Sequence, residues 1–329
     1  MWDVEIVVVP RERYAPTLGT LRRVVATVPH DVRVTLVRGG MPDRMVTAAR
    51  ALHDGRIAVI GPSRHLAPNA ARRIGLTASS ARFVVFVDND VVTTPGWFEP
   101  LIDAANGTGA WVVRPLVLQR VAGTLSVHEA GGDCHLARCG TTTTLVDLHH
   151  HQGRTLDEIG PLHARFVELF EFHTVLFDRE KLLALGGPDE AMRSQGDHLD
   201  LVLRVHAAGG SVWFEPASRV VYLIPDHLAF RDLPFFLGRW SPAWNRASKH
   251  AFFVKHGVND PTDPYETWRY PDAHRAHAWL PVGRLVARAI RRPIAGGVAR
   301  RFDRFIGRHL AQIVQRTAPR WRGDGGTAR

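Results

Sequence analysis

The stretch that most constrains this chain is Phe83–Asp90, FVVFVDND. Its first five residues are all apolar, three of them Val, as in a strand covered on both faces. The strand then stops on two carboxylates, Asp88 and Asp90, one residue apart. Two negative charges at the end of a buried strand repel each other and are costly to desolvate unless a cation lies between them. A hard divalent ion such as Mg²⁺ or Mn²⁺ meets that need, because it takes carboxylate oxygens and keeps positions open for phosphate. The plainer alternative is a pair of solvated acids at a turn, and so short a motif does not decide between them.

Around that strand the chain alternates. Val4–Val9 is a short apolar strand stopped by Pro10 and followed by Arg11, Glu12, Arg13 and Tyr14. Leu18–Val28 has helical apolar spacing with Arg22 and Arg23 on the other face. Val32–Val37 and Arg56–Ile60 read as strands closed by Gly39-Gly40 and Gly61-Pro62, and HLAPNAARRIGLTAS as a loop entering a helix. This alternation predicts a parallel sheet with crossover helices. Ligands of such sheets collect beyond the carboxyl ends of the strands, where Arg11, Arg13, Asp88 and Asp90 fall.

Beyond a strand at Ala110–Leu118 the pattern loosens, and residues 123–165 predict hairpins or loops. Phe166–Phe177 reads as one strand, Arg179–Leu185 as a short helix and His198–Ala208 as an amphipathic helix. Ser211–Phe214 and Val220–Leu223 read as two short strands. From Asp232 the chain turns helical and aromatic, with Trp240 and Trp244 four apart on one helix face. The expected division is an α/β body at 1–230, a helical aromatic-rich extension at 231–280 and a basic tail at 281–329.

Composition sharpens this in three places. The formal charge of +10 sits in the tail, where residues 281–329 hold twelve Arg and two Asp, so the rest is neutral. Cys134 and Cys139 are the only cysteines, which suits a reducing cytosol and no disulfide framework. With His128, His135 and His149–His151 they suggest zinc, but the spacings make no pair-and-pair set, so these read as loop residues, some of them lining a site. No apolar run is long enough to span a bilayer, and the N-terminus enters a strand with no basic leader, so a cytoplasmic protein is expected.

Taken in order, these segments resemble the family 2 glycosyltransferases, bacterial type, which have the GT-A fold. The resemblance rests on the strand ending at Pro10, NAARRIG at 69–75, VDND at 87–90 and PGWFEPL at 95–101. It continues through FDREKLLALGGPDE at 177–190 and GDHLDLVLRVHAAGGSVWFEP at 196–216, and covers residues 4–256. The implied fold is α/β, a Rossmann-like, mostly parallel sheet with flanking helices, carrying a helical C-terminal extension. The implied reaction is inverting, divalent-metal-dependent transfer of a sugar from a nucleotide diphosphate sugar to an acceptor hydroxyl. The resemblance places Pro10, Arg11, Arg13, Arg38, Arg72, Asp88 and Asn89 around the donor, and Asp88 and Asp90 at Mn²⁺ or Mg²⁺. Within that pair Asp90 holds the ion, and Asp88 turns toward the ribose or base.

The chain also departs from the family pattern. Arg38 stands where an Asp usually helps hold the base, and Arg73 where an Asn is expected. Asp197-His198 replaces a Glu-Asp pair, and Tyr222-Leu223 replaces a Tyr-His, so a metal ligand is missing there, and whether His227 replaces it stays open. These departures keep a degenerate, non-catalytic binding protein open as an alternative. A sugar nucleotidyltransferase is a second, although PRERYAPTLG makes a poor triphosphate loop.

Glycosyl transfer needs a base for the acceptor proton. Asp197 or His198 is expected there; Asp197 is preferred as the remaining carboxylate, and imidazole is itself competent near neutral pH. Glu171 and His173, two apart on the expected strand, share a face at the acceptor. Asp200 either joins them or caps the helix dipole. In the tail, apolar residues at 298, 302, 305, 306, 310, 313 and 314 form one helical stripe, with Arg300, Arg301, Arg304, Arg308 and Arg316 on the other faces. That describes either a helix packed on the body or one lying in an anionic membrane interface, near a lipid-linked or natural-product acceptor. The stripe speaks against nucleic acid as the tail's partner.

Overall fold

The computed structural model describes residues 3–52, 56–121, 123–224, 228–260 and 270–317. The chain begins β1 (Val4–Val9), α1 (Thr17–Ala26), β2 (Arg33–Val37), α2 (Asp43–Arg50), β3 (Ile57–Ile60), α3 (Pro68–Ala78) and β4 (Phe83–Asp88). Next come β5 (Val91–Thr93), α4 (Phe98–Thr108), β6 (Val112–Val121), β7 (Thr124–Glu129) and the hairpin β8 (Gly132–Cys139) and β9 (Thr142–His149). After the one-turn α5 (Leu156–Ile159) follow β10 (Arg165–Val167), β11 (Thr174–Asp178), α6 (Arg179–Ala184), α7 (Asp197–Ala207) and β12 (Val212–Tyr222). The extension holds α8 (Leu233–Arg239), α9 (Pro242–His256), α10 (Tyr270–Arg275), α11 (Leu280–Ala289), α12 (Ala295–Phe302) and α13 (Arg308–Thr317).

The main sheet has the order β10-β12-β6-β11-β4-β1-β2-β3, with β7 beside β6 and β5 beside β12. β1 to β4 run parallel, β6 and β12 run parallel, and β11 enters antiparallel between β4 and β6. β4 is central and covered on both sides, as its composition requires: Phe83, Val85 and Val87 enter one core, Val84 and Phe86 the other. Each such buried side chain contributes about 1.5–3 kcal/mol over exposure, which fixes the strand's register and hence the place where its acids emerge. α3 lies directly on β1, because Gly75 has no side chain; a Cβ there would sit 2.3 Å from Val7 Cγ1. That close approach brings Arg72, one turn earlier, to the end of β4.

Three expected elements differ. The strand expected over 166–177 is two strands, β10 and β11, with an irregular segment between them. The chain breaks there because the Glu168 and Leu169 N–H groups donate to the Gly132 carbonyl (3.2 and 3.1 Å), while Leu169, Phe170 and Phe172 turn into the core. The two short strands expected over 211–223 are one long β12, irregular between Glu215 and Arg219. Trp240 and Trp244 do not share a helix: Trp240 ends α8, and Ser241 caps the start of α9 by accepting from the Trp244 N–H (3.4 Å).

The C-terminal helices are part of the packed body. Arg275 is buried and donates to Asp303 (2.9 and 2.7 Å), to Asp272 (2.9 Å) and to the Trp240 carbonyl (2.9 Å). α12 passes into α13 through a π-helical turn, Asp303–Gly307. The inward side of this long helix is Ala299, Asp303, Gly307 and Ala311, a row of mostly small residues four apart. Gly307 admits Trp279, whose Nε1 donates to Asp303 (2.9 Å). The apolar stripe is therefore largely turned outward: Phe305 is 71%, Ile306 45%, Leu310 38% and Ile313 54% exposed.

Candidate active site

β1 and β4 finish side by side, Val9 paired with Asp88, and a cavity of about 490 Å³ opens over their ends. Arg72 organises its floor. One guanidinium donates to Asp88 Oδ1 (2.9 Å), Asp197 Oδ2 (3.0 Å) and Asn69 Oδ1 (3.0 Å), and lies 3.7 Å from the centre of the Phe172 ring. It thus ties the end of β4 to the start of α7. Arg11, also in the cavity wall, stands 3.9 Å from Asp88 and donates to the Tyr222 hydroxyl (2.8 Å). Burial pushes the Asp88 carboxyl above its ordinary value against the pull of Arg72 and Arg11.

Asp90 differs from Asp88. It is fully buried, and among the described residues neither carboxylate oxygen takes a hydrogen bond. Arg13 is 4.0 Å away, and burial pushes the Asp90 carboxyl up to about 7 despite Arg11 and Arg13. A buried carboxylate with both oxygens unsatisfied is an arrangement that a cation completes. Asp88, Asp90 and His173 bring ligand atoms within 4.8 Å of one another, so these residues fit a divalent ion.

Of the other residues placed at the donor, Asn89 is spent within the protein. It donates to the Arg13 carbonyl (2.6 Å) and Thr17 Oγ1 (2.7 Å), and accepts from the Arg11 N–H (3.0 Å). It therefore holds the loop after β1 rather than facing the cavity. Arg38 donates to the Met41 carbonyl (3.1 Å) and Asp43 (2.7 Å), outside the cavity wall, as are Pro10 and Arg13. Arg13 donates to the Leu223 carbonyl. His227 lies outside the described residues.

On the opposite wall α7 presents Asp197 and His198. Burial raises the Asp197 carboxyl, yet the His198 hydrogen bond and the charges of Arg72 and Arg239 hold it well below the usual carboxylate range. His198 Nδ1 lies 3.5 Å from Asp197 Oδ1, and its Nε2 is buried with no partner among the described residues. Burial lowers the His198 imidazole, but Asp197 and Glu171 lift it above its ordinary value. Glu171 and His173 reach the cavity from the irregular segment rather than from a strand face. Asp200 is not at the cavity: it is fully buried against Arg204 (2.8 Å), Lys255 (2.7 Å) and His256 (2.9 Å), where it joins α7 to α9.

Sequence patterns alone did not single out several wall residues. Arg239 on α8 is 4.0 Å from Asp197, and Tyr270 arrives from α10, so the extension completes the cavity. Trp240 lines it too, its Nε1 donating to Glu12 (2.8 Å), which also bonds His274 (3.0 Å). The RW at 239–240 was the available signal for two of these. Cys134 is buried and Cys139 exposed, at opposite ends of β8, while His128 and His149 do line the cavity.

With this geometry in place, comparison with known proteins gives a consistent answer. The family model Glycosyl transferase family 2 matches residues 6–141. That segment is similar to a family 2 glycosyl transferase domain. The pre-mycofactocin glycosyltransferase of Mycobacterium tuberculosis is 28% identical over 160 residues, covering 49% of this chain and 30% of the relative. Human polypeptide N-acetylgalactosaminyltransferase 15 is 25% identical over 224 residues, covering 64% and 34%. The chain thus spans about a third of the curated relatives' lengths. A crystal structure of GalNAc-T7 with UDP, GalNAc and Mn²⁺ superposes with a TM-score of 0.52 at 15% identity, over 82% of this chain and 54% of that one. This likeness supports the GT-A fold, and the relatives that the chain resembles are glycosyltransferases.

Proposed function

We propose that this glycosyltransferase moves a sugar, with inversion and with a divalent ion, from a nucleotide diphosphate sugar to an acceptor hydroxyl. The observation that carries the reading is the pair of acids at the end of β4: Asp88 lines the same cavity as Asp197 and His198, and Asp90, two residues on, is buried with both oxygens unsatisfied among the described residues. An ion held by Asp88 and Asp90 would neutralise the leaving diphosphate. Arg11, Arg72 and Arg239 add fixed positive charge to the same space. His198 takes the acceptor proton at Nε2, and Asp197 positions its ring. A carboxylate already bound to Arg72 and held so far down is a poor proton acceptor, which supports the histidine over Asp197 as the base.

The test is a thermal-shift panel of UDP, GDP, CDP, ADP and dTDP, each with and without Mn²⁺. UDP and Mn²⁺ come first because the GalNAc-T7 structure contains both. A ligand at a hundred times its Kd stabilises by about 2.7 kcal/mol, a shift of several degrees. One nucleotide stabilising only with the ion supports the reading, whereas a flat panel favours a protein that keeps the fold without the donor site.

The outward stripe favours a second element, attachment to an anionic membrane surface. Phe305, Ile306, Leu310 and Ile313 are exposed beside Arg301, Arg304 and Arg308, which is the arrangement of an interfacial helix. Each Arg near anionic headgroups contributes about 1 kcal/mol, so attachment is reversible and salt-sensitive. No described helix is long and apolar enough to cross a membrane. The reading is of a peripheral enzyme at the cytoplasmic face acting on a lipid-linked acceptor, supported by the exposed stripe and its neighbouring Arg. The protein is expected to sediment with phosphatidylglycerol vesicles at low salt, and changing Phe305, Ile306, Leu310 and Ile313 to Ser should release it with little change in Tm. Wild-type protein that ignores such vesicles overturns the attachment.

A further inference from the structure

We infer that His128, Glu171 and His173 form a second metal site, taking Zn²⁺ in preference to Mg²⁺ or Mn²⁺. His128 Nε2 lies 3.0 Å from Glu171 Oε2 and 3.0 Å from His173 Nε2, and the latter two are 3.5 Å apart. Ligand atoms around a tetrahedral Zn²⁺ with bonds of about 2.0–2.1 Å stand about 3.3 Å from one another. The three atoms therefore already sit at ligand separation. The inference does not depend on the glycosyl-transfer reading.

Hydrogen bonding fixes what these atoms present to one another. His128 Nδ1 is 2.9 Å from Gln119 Oε1, which can only accept, so Nδ1 carries the hydrogen and Nε2 of the neutral ring presents a lone pair. Glu171 Oε2 is buried and accepts no hydrogen bond of normal geometry among the described residues. A lone pair and a carboxylate facing each other at 3.0 Å need a cation between them, either a metal or an added proton. His173 has two ring nitrogens: Nδ1 faces Asp88 Oδ2 at 3.6 Å, which leaves Nε2 for this cluster. A neutral His173 ring has one lone pair and serves one ion at a time: with Nε2 given to this cluster, Nδ1–H faces Asp88 and the donor-site ion rests on the two carboxylates.

The frame around the cluster is rigid. The Glu171 N–H donates to Glu129 Oε1 (3.1 Å), and Glu129 is paired with the buried Arg114 (3.1 Å). The Tyr222 ring packs on both imidazoles, with centroids 4.2 Å from His173 and 5.0 Å from His128. Two imidazoles and one carboxylate suit Zn²⁺, while Mg²⁺ and Mn²⁺ prefer all-oxygen sets such as Asp88 and Asp90 with phosphate. All three ligands line the cavity, so the open fourth position would take a water or an acceptor oxygen. Regular sequence spacing could not show this, because β7 and the segment before β11 supply the ligands.

The test uses the full chain stripped with chelator and titrated calorimetrically with Zn²⁺ in excess Mg²⁺, with Co²⁺ absorption as the geometric probe. The expectation is one tight equivalent with a tetrahedral Co²⁺ spectrum. Affinity should fall by at least about 100-fold in His128→Ala and Glu171→Gln, and by about 10-fold in Gln119→Leu. Asp90→Ala should keep the tight site while losing Mn²⁺-dependent nucleotide binding, which separates failure here from failure of the donor-site reading. Glu171→Gln preserves volume and carries the test if His128→Ala does not fold. No tight Zn²⁺ in the wild type would mean that the cluster is a His128 imidazolium paired with Glu171, and overturns the site. So does affinity lost in His149→Ala but kept in His128→Ala, which would move the ion to the neighbouring Asp147, His149 and His198.

Discussion

Asp90→Ala is expected to lower sugar transfer by about 10³-fold or more and to remove the Mn²⁺-dependent part of nucleotide binding. Losing one preorganised electrostatic stabiliser costs roughly 10²–10³ in rate, and here the ion goes with the side chain. The fold should survive, because the Asp90 carboxylate gives up hydration on burial and gains no hydrogen bond in return. A pH effect accompanies this. Burial pushes the ion-free carboxyl up to about 7, so below that pH a proton competes with the ion. Apparent Mn²⁺ affinity should fall about tenfold per pH unit below about 7 and level off above it. Wild-type turnover by Asp90→Ala in the presence of chelator would falsify the ion's role.

The second large effect is expected at α7. His198→Ala should cost about 10²–10⁴ in kcat with donor binding little changed, the usual scale for a lost general base. Asp197→Asn should act differently, because Asp197 anchors Arg72 (3.0 Å) as well as His198. Its expected signature is a raised donor KM together with a shifted pH profile. The base must be unprotonated to work, and its value is lifted above the ordinary imidazole range despite burial. Wild-type kcat/KM should therefore rise with pH on the alkaline side of about 6.5, and in Asp197→Asn the rise should move to lower pH. If His198→Ala is near neutral and Asp197→Asn inactive, the carboxylate is the base. If neither matters, the proton goes elsewhere, with Glu171 the next group in the wall.

Both predictions draw on residues that local pattern brought forward. β4 could be read directly because a strand buried on both faces must be apolar throughout, and its abrupt end on acids is a local break in that rule. β1 was equally plain, Val4–Val9 with Pro10 as its stop. A turn or a terminator is encoded within a few residues, so sequence alone determines it.

What tertiary structure decided is which groups meet. Arg72 and Asp197 are 125 positions apart, and no periodicity links them; they pair because the N-terminal parts of α3 and α7 both lie over the end of β4. Glu171 and His173 were expected on one strand face, yet an irregular segment carries them, because buried aromatics outweigh continued strand pairing there. Asp200 shares a helix with Asp197 but was drawn to Lys255 and His256, partners that only the folded α9 supplies. In the tail, periodicity defined the helix but not its inward side. Ala299, Gly307 and Ala311 face inward because small residues let the backbone approach Trp279 and Asp303 reach Arg275, which leaves the larger apolar residues outside. A hydrophobic pattern reports which residues can be buried together, and the shape of the neighbouring surface decides which of them are.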